Sequence, residues 1–232
     1  MKWRRVVFAA VVTASLTIVQ PVTLGQPPPQ TGSIAGRVKI TARVRGAALS
    51  TNAYTPRAVS VQEPSAVPEM RSVVVYLKDP SYRGALPVMR RQIRQEHESF
   101  VPRIVAITRG SIVEFPNGDP IFHNVFSLSA AGTFDLGRYP DGQSRFRQFT
   151  KPGLVKVYCH IHSQMSASIL VLDHPYFTTP GDDGAFTLAN VPAGDYRLVA
   201  WHERVGEQVA RLSVQPGQAT TIEIALPLAD AQ

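Results

Sequence analysis

The sequence of 232 residues contains a single cysteine, Cys159. One thiol cannot form an internal disulfide. It is therefore a buried inert side chain, half of an intermolecular disulfide, or a ligand for a metal ion. The residues around Cys159 indicate which of these three roles the thiol has.

Charge is also scarce. Charged residues make up 18% of the chain, and 24 Lys and Arg against 17 Asp and Glu give a formal net charge of +7. Three of the positive residues, Lys2, Arg4 and Arg5, precede the first apolar run, which leaves +4 for the rest of the chain. This excess is too small to indicate a nucleic-acid-binding protein.

Long apolar runs are absent after the amino-terminal segment. Residues 6–19 are apolar, follow a basic start and precede small residues near Gly25, which predicts a secretory signal peptide over residues 1–25. A membrane-spanning helix needs about 20 apolar residues. We therefore expect a cleaved signal, no membrane span in the mature chain, and a periplasmic or secreted protein. Residues 26–32 are Pro-rich and are predicted to form a stiff leader.

No segment shows a helical hydrophobic period. Nineteen Pro and 16 Gly separate short segments of alternating apolar and polar residues, which predicts an all-β chain built from sandwiches. A long loop is expected over residues 43–69, and an Arg-rich, solvated linker over residues 81–98. The predicted strands are residues 32–41, 71–78, 100–108, 112–115, 125–128, 145–149, 154–159, 166–173, 185–188, 195–203, 208–214 and 220–226.

Four side chains that suit a copper ion occur in two predicted loops. The sequence VYCHIHSQM places Cys159, His162 and Met165 three residues apart at the end of a strand. A thiolate, a thioether and imidazoles are the ligands of blue-copper electron-transfer sites. His123 lies 36 residues before the cysteine, in a loop that enters another strand, and it supplies the missing imidazole. Loops at one end of a sandwich come together, so these residues can meet.

These residues resemble the copper loops of the cupredoxins, in particular the amicyanin and plastocyanin-like branch. The matching features are His123-Asn-Val and the Cys-x2-His-x2-Met spacing, and the resemblance extends over about residues 100–173. It implies one type 1 copper ion bound by His123, Cys159, His162 and Met165. It further implies that Asn124 connects the two ligand loops, the one that contains His123 and the one from Cys159 to Met165, by hydrogen bonds. His162 would be the ligand nearest to solvent.

The ligand loop departs from this family at three positions. His160 directly follows the cysteine, and strand alternation would turn it away from a metal ion that Cys159 faces. Ser163 and Gln164 replace residues that are commonly Pro and bulky apolar in the amicyanin-like loop. The apolar docking surface of the family is therefore not expected on this loop.

A second resemblance divides the chain into two sandwiches. The stretch DDGAFTLANVPAGDYRL at residues 182–198 is similar to the carboxypeptidase regulatory-like, transthyretin-like β-sandwich. The strands that begin this family resemble Gly36-Arg-Val38 and residues 73–77, which lie before the copper loops. The expected organisation is a copper unit inserted in the second sandwich. Its parts are residues 33–80 (first part of the second sandwich), 81–98 (linker), 99–175 (cupredoxin unit) and 176–228 (second part).

The resemblance implies a one-electron carrier rather than an enzyme. Its partner would be a redox protein, and Arg138, Arg145 and Arg147 would favour an acidic one. The alternative is a non-redox exported module that binds copper or another protein. Six His with one His-x-His pair are too few for a multicopper oxidase, and a two-domain nitrite reductase would need a second cupredoxin unit.

Overall fold

The computed structural model of the chain describes residues 30–44 and 69–229. The predicted signal peptide, most of the leader and most of the 43–69 loop lie outside these residues. Within them, every regular element is a β-strand except one short 3-10 helix, Glu69–Ser72. The prediction of an all-β chain is therefore confirmed. Thr31 and Gly32, assigned to the leader, already belong to the first strand. In the described part of the chain, no helix is long and apolar enough to cross a membrane.

The first sandwich, which we call the flanking sandwich, is built from both ends of the described chain. Its two sheets have the strand orders β14-β1-β17 and β13-β2-β15-β16. The long first strand pairs antiparallel with β14 and parallel with β17, and β2 pairs with β15. Segments before and after the middle of the chain therefore share both sheets. The strands are β1 (Thr31–Val44), β2 (Val73–Leu77), β13 (Phe177–Thr178), β14 (Ala185–Pro192), β15 (Gly194–His202), β16 (Gly206–Val214) and β17 (Ala219–Ala229).

The second sandwich, which we call the central sandwich, is formed by the middle of the chain. A five-stranded sheet of order β6-β12-β11-β8-β9 and a three-stranded sheet of order β10-β7-β3 enclose one apolar core, and β4 and β5 form a separate hairpin. The strands are β3 (Arg90–Gln92), β4 (Arg94–Glu96), β5 (Ser99–Val101), β6 (Ile104–Thr108), β7 (Ile112–Pro116), β8 (His123–Ser129), β9 (Gly132–Tyr139), β10 (Ser144–Gln148), β11 (Gly153–Tyr158) and β12 (Ser166–Leu172).

The two sandwiches share an apolar contact. All five residues of β2 are buried, because Val73, Val75 and Leu77 face the core of the flanking sandwich while Val74 and Tyr76 face the central sandwich. A strand buried on both faces has a continuous apolar sequence. The contact cluster consists of Val74, Tyr76, Ile104, Leu170, Leu172, Val199 and Trp201. Glu203 adds an ion pair across this contact, with 3.0 Å between its Oε1 and the Arg103 guanidinium.

The Arg-rich segment 81–98 is not the solvated linker that the sequence predicts. Its second half forms β3, which pairs parallel with β7, and β4, which pairs with β5. Ile93 and Gln95 have no exposed surface. The arginines point outward and dominate the composition, so two inward side chains among them were not recognised as a strand signal. The predicted strand at residues 100–108 is in fact two strands, β5 and β6, separated by Pro102.

Candidate metal centre

Two neighbouring strands of the five-stranded sheet bring the two ligand loops to the same end of the central sandwich. His123 is the first residue of β8, and Cys159 directly follows β11. These strands are adjacent, with Tyr158 opposite Phe126. Side chains alternate along a strand, and Val155 and Val157 of β11 face the core. Cys159 continues this alternation, so its thiol points inward at the end of the sandwich and is buried.

Three predicted ligands converge at this end of the sandwich. The Nδ1 atoms of His123 and His162 are 3.0 Å apart. Together with the sulfur of Cys159 they form a group whose ligand atoms all lie within 4.8 Å of one another. Met165 is buried in the same apolar core as Cys159, and its backbone N–H donates to the carbonyl of His162 at 3.0 Å. The loop from Cys159 to Met165 thus curls back over the cluster.

The chemistry of this group fits a metal ion. Two nitrogens that bind one ion at about 2.0 Å each lie about 3.3 Å apart at a tetrahedral angle, close to the separation of the two Nδ1 atoms. A thiolate with two imidazoles suits soft or borderline metals such as copper and zinc, and a thioether shifts the preference toward copper. Residues His123, Cys159 and His162 are therefore able to hold a metal ion.

Asp119 fixes the orientation of His123. Its Oδ2 lies 2.8 Å from the Nε2 of His123, and the imidazole is fully buried. A carboxylate accepts hydrogen bonds, so the proton of the neutral ring is on Nε2. In this tautomer Nδ1 carries the lone pair and faces the Nδ1 of His162. A carboxylate behind a ligating histidine is a common support of metal sites.

The carboxylate of Asp119 is held in turn by backbone groups. Its oxygens accept the N–H of His97 at 2.6 Å and of Glu98 at 2.8 Å. Burial alone would raise the pKa of Asp119, but these bonds and the bond from His123 outweigh it and lower the pKa below its ordinary value. The group is therefore an anion at neutral pH. The sequence analysis missed Asp119, although its place four residues before His123 in a turn-rich loop was a signal.

Asn124 connects the two ligand loops. Its Oδ1 accepts the backbone N–H of His160 at 3.4 Å, and its Nδ2 donates to Asp135 at 2.7 Å. The N–H of Gly137 also donates to Asp135, and the bonds from Gly137 and Asn124 lower the pKa of this carboxyl group. Asn124 thus hydrogen-bonds to the backbone next to Cys159, and its role beside a metal ion stays a prediction.

His160 lies on the opposite side of the loop from the cluster. Its ring packs edge-on against Phe126, with 3.7 Å between the centroids, and it is exposed. Phe126 is on the outer face of the five-stranded sheet, since its neighbour Val125 faces the core. The alternation that turns Cys159 inward therefore turns His160 outward.

The two loops that carry the predicted ligands also carry exposed apolar side chains. His162 is half-buried, and next to the two ligand loops Ile121, Phe122 and Ile161 are exposed at 38%, 56% and 40%. Ser163 and Gln164 are exposed and polar, as the sequence suggests. The sequence expectation concerned Ser163 and Gln164 only; Ile161 on the same loop, and Ile121 and Phe122 before His123, are apolar and exposed.

Comparisons with known proteins match parts of the chain. A family model described as polysaccharide lyase family 4, domain II, matches residues 160–222, from the ligand loop into the flanking sandwich. No curated protein matches. Among solved structures, the copper-containing nitrite reductase NirK of Thermus scotoductus SA-01 is 27% identical, with a TM-score of 0.35. The match covers 41% of this chain and 25% of the reductase, so the chain spans a quarter of that protein's length.

Two smaller copper proteins are also similar in part. Amicyanin from Paracoccus versutus is 21% identical over 38% of this chain and 85% of its own, with a TM-score of 0.34. A purple cupredoxin from Nitrosopumilus maritimus is 22% identical over 35% of this chain and 98% of its own, with a TM-score of 0.32.

Proposed function

We propose that the protein is an exported one-electron carrier with a single type 1 copper ion, bound by His123, Cys159, His162 and Met165. The observation that carries the proposal is the convergence of two imidazoles and the only thiol of the chain at one end of a sandwich. The buried thioether of Met165 in the same core supports copper over zinc. A copper ion in such a set alternates between Cu(I) and Cu(II) and so carries one electron.

The protein's own contribution is a ligand set that is held in place before the metal ion arrives. Asp119 orients His123, Asn124 joins the two loops, and the turn from His162 to Met165 is closed by a backbone hydrogen bond. Ligands that are fixed by the fold move little when the charge of the site changes. Small rearrangement favours rapid electron transfer and gives a reason for this many supporting contacts.

The flanking sandwich is proposed as the host into which the copper unit is inserted. The pairing of β1 with β14 and β17, and of β2 with β15, supports this, since it joins segments on both sides of the central sandwich. We assign residues 90–96 to the copper unit, because β3 pairs with β7 and Ile93 lies in the same core as Cys159. The flanking sandwich then serves as a contact module without a redox group.

An absorption and electron paramagnetic resonance measurement on the copper-loaded chain tests the proposal. We expect one copper ion per chain, an intense thiolate-to-copper band in the visible region, and loss of the band on addition of a reductant. A copper-loaded protein without this band would contradict the carrier function and favour the alternative of a non-redox copper-binding or protein-binding module. The EPR spectrum of the oxidised protein distinguishes type 1 copper from other geometries.

His162 is predicted to be the ligand whose removal opens the site to added molecules. It is the half-exposed member of the cluster, whereas His123 is fully buried. In the variant His162→Gly, we expect the visible band to be lost or shifted and to be restored by millimolar imidazole, which can enter the space left by the side chain. The matched control is His160→Gly, which should keep the original band. The reverse pattern would mean that His160 is the ligand.

The exposed loop around His162 is the proposed exit for the electron, and arginines on the neighbouring strands β9 and β10 are predicted to attract anions. Arg138 is next to Tyr139, which pairs with His123, and Arg145 lies 5.2 Å above the ring of Tyr139. We expect reduction by ferrocyanide to slow as ionic strength rises, and to slow about twofold in Arg138→Gln at low salt.

The control for this charge effect is Arg211→Gln on β16 of the flanking sandwich, which should leave the ferrocyanide rate unchanged. A neutral reductant should show no salt dependence with any of these proteins. Stopped-flow absorption at the copper band measures all the rates. Equal salt dependence for the wild type and Arg138→Gln would remove Arg138 from the contact surface and with it the support for an acidic partner.

A further inference from the structure

The tip of the β4–β5 hairpin contacts both ligand loops. On one side, the backbone N–H groups of His97 and Glu98 donate to the carboxylate of Asp119, which binds His123. On the other side, the Oε2 of Glu98 accepts a hydrogen bond from the Nε2 of Gln164 at 2.8 Å. Gln164 lies between His162 and Met165. Two residues of one turn therefore reach the loop of the first ligand and the loop of the other three.

The conformation of this turn is costly without a partner. His97 and Glu98 are its two central residues, and both have a positive φ of 52°. Two-residue hairpin turns of this kind favour Asn-Gly or Gly, because other side chains are strained in the left-handed region. Two bulky residues in this conformation turn both N–H groups toward one buried carboxylate. The two hydrogen bonds to Asp119 offset the strain, and strained backbone of this type is concentrated at functional sites.

The base of the hairpin is anchored in the core of the central sandwich. Gln95 is fully buried, its Nε2 donates to the hydroxyl of Tyr139 at 2.6 Å, and its backbone carbonyl accepts the N–H of Gly118 at 2.9 Å. A second connection joins the hairpin to the Asp119 loop, since Gln95 and Asn117 form a parallel β-bridge. The turn is therefore fixed to the sandwich and can transmit its position to the loops.

We propose that the β4–β5 hairpin is a positioning element of the metal centre: through Asp119 and Gln164 it holds the two ligand loops at a fixed distance from each other. The inference rests on the proposed function for the identity of the metal ion, but the contacts that carry it belong to the metal-free chain. The residues that act are Glu98, Asp119 and Gln164. None of them is a ligand, and each acts through a ligand or its loop.

We call the contacts of the hairpin tip with Asp119 and Gln164 the clamp. Amide hydrogen exchange of the metal-free full chain tests the clamp without any metal ion. In Glu98→Ala and in Gln164→Ala, exchange at the N–H of Met165, which closes the ligand loop, should be about threefold faster than in the wild type, as expected for an exposed hydrogen bond. The double variant should show no further increase, because both changes remove the same contact. Glu98→Gln keeps an acceptor for Gln164 and should restore the wild-type rate.

The matched control is Glu96→Ala in the same hairpin, which pairs with Arg94 and makes no hydrogen bond to either loop. It should leave exchange at Met165 unchanged. An equal increase in Glu96→Ala and Glu98→Ala would overturn the proposal, since the effect would then come from general loosening of the hairpin. Wild-type exchange in Glu98→Ala and Gln164→Ala would overturn it as well.

Asp119→Asn tests the other half of the clamp. An amide has one acceptor oxygen, so it cannot accept from both turn N–H groups and from His123. We expect exchange at the N–H groups of His97 and Glu98 to rise at least tenfold, and copper affinity to fall about 10- to 100-fold with a shifted visible band. Asp141→Asn, an exposed aspartate in the β9–β10 turn, removes the same charge and should change neither.

The two kinds of measurement separate the clamp from the copper assignment. If the wild-type protein lacks the visible band while hydrogen exchange responds as expected, the clamp stands and the proposed function fails. If the wild type shows the band and Asp119→Asn keeps both its exchange rates and its spectrum, the proposed function stands and the clamp is wrong.

Discussion

Replacing Cys159 with serine is expected to abolish the visible absorption of the copper-loaded protein while both sandwiches stay folded. Cys159 is the only sulfur donor of the thiol type in the chain, so no other side chain can provide a thiolate-to-copper band. Serine has nearly the same volume and leaves no large cavity. Its hydroxyl stays protonated at neutral pH and is a hard, weak ligand for copper.

Absorption spectroscopy, copper titration and thermal unfolding of the metal-free protein measure the three parts of this result. The loss of stability should be about 1 kcal/mol, from a polar group placed at a buried position. His160→Ser changes the adjacent residue on the outer face and should keep the band. Full absorption in Cys159→Ser would remove the cysteine from the site, and global unfolding of the metal-free variant would show that the thiol is needed for packing.

Acid is expected to destabilise the protein between about pH 6.5 and pH 4 through buried histidines. His174 is 5% exposed, and burial lowers its pKa to about 4, against a weaker opposing effect of Asp173 and Asp79. Its Nδ1 accepts the N–H of Tyr176 at 3.2 Å, a bond that a protonated ring cannot keep. Burial also lowers the pKa of His202, although Glu69 opposes the shift.

The sign follows from where each state binds the proton. Below about pH 6.5 the unfolded chain binds a proton at His174, whereas the folded chain binds it only near pH 4. The free energy of unfolding therefore decreases as the pH is lowered over this range. The pKa difference contributes a loss of about 2 kcal/mol between pH 7 and pH 5. Above about pH 6.5, the pKa of His174 in the unfolded chain, His174 is neutral in both states and causes no loss of stability.

Denaturant unfolding of the metal-free chain at several pH values measures this loss. In His174→Gln the difference in unfolding free energy between pH 7 and pH 5 should be smaller than in the wild type by about 2 kcal/mol. The amide oxygen of Gln can still accept the N–H of Tyr176. An unchanged dependence in His174→Gln would show that His174 has the same pKa in the folded and the unfolded chain.

The sequence predicts which side chains converge at the site, but it does not predict the contacts that support them. Alternation along β11 is sufficient to turn Cys159 inward and His160 outward, because the period of a strand is a local property. The convergence of His123 with Cys159 follows from loops meeting at one end of a sandwich. The hairpin tip could not be derived in this way, since its contacts with Asp119 and Gln164 join segments that are about 20 residues or more apart.

The missed strands have a common physical reason. Strand β9 contains Gly132, Gly137 and Asp135, residues with low strand preference, and is stabilised by its pairing with β8. Strands β3 and β4 are three residues long and mostly Arg and Gln. In both cases tertiary pairing overrides local preference, so no reading of the segment alone would have found them.

The apolar contact between the sandwiches also has a consequence for producing one sandwich without the other. Ile104, Leu170 and Leu172 lie on the outer face of the five-stranded sheet and are covered by Val199 and Trp201. A central sandwich excised from the chain would expose these side chains to water as an apolar patch. Such a patch favours self-association at the concentrations used for spectroscopy. An isolated central sandwich would therefore need polar substitutions at these three positions to stay monomeric in solution.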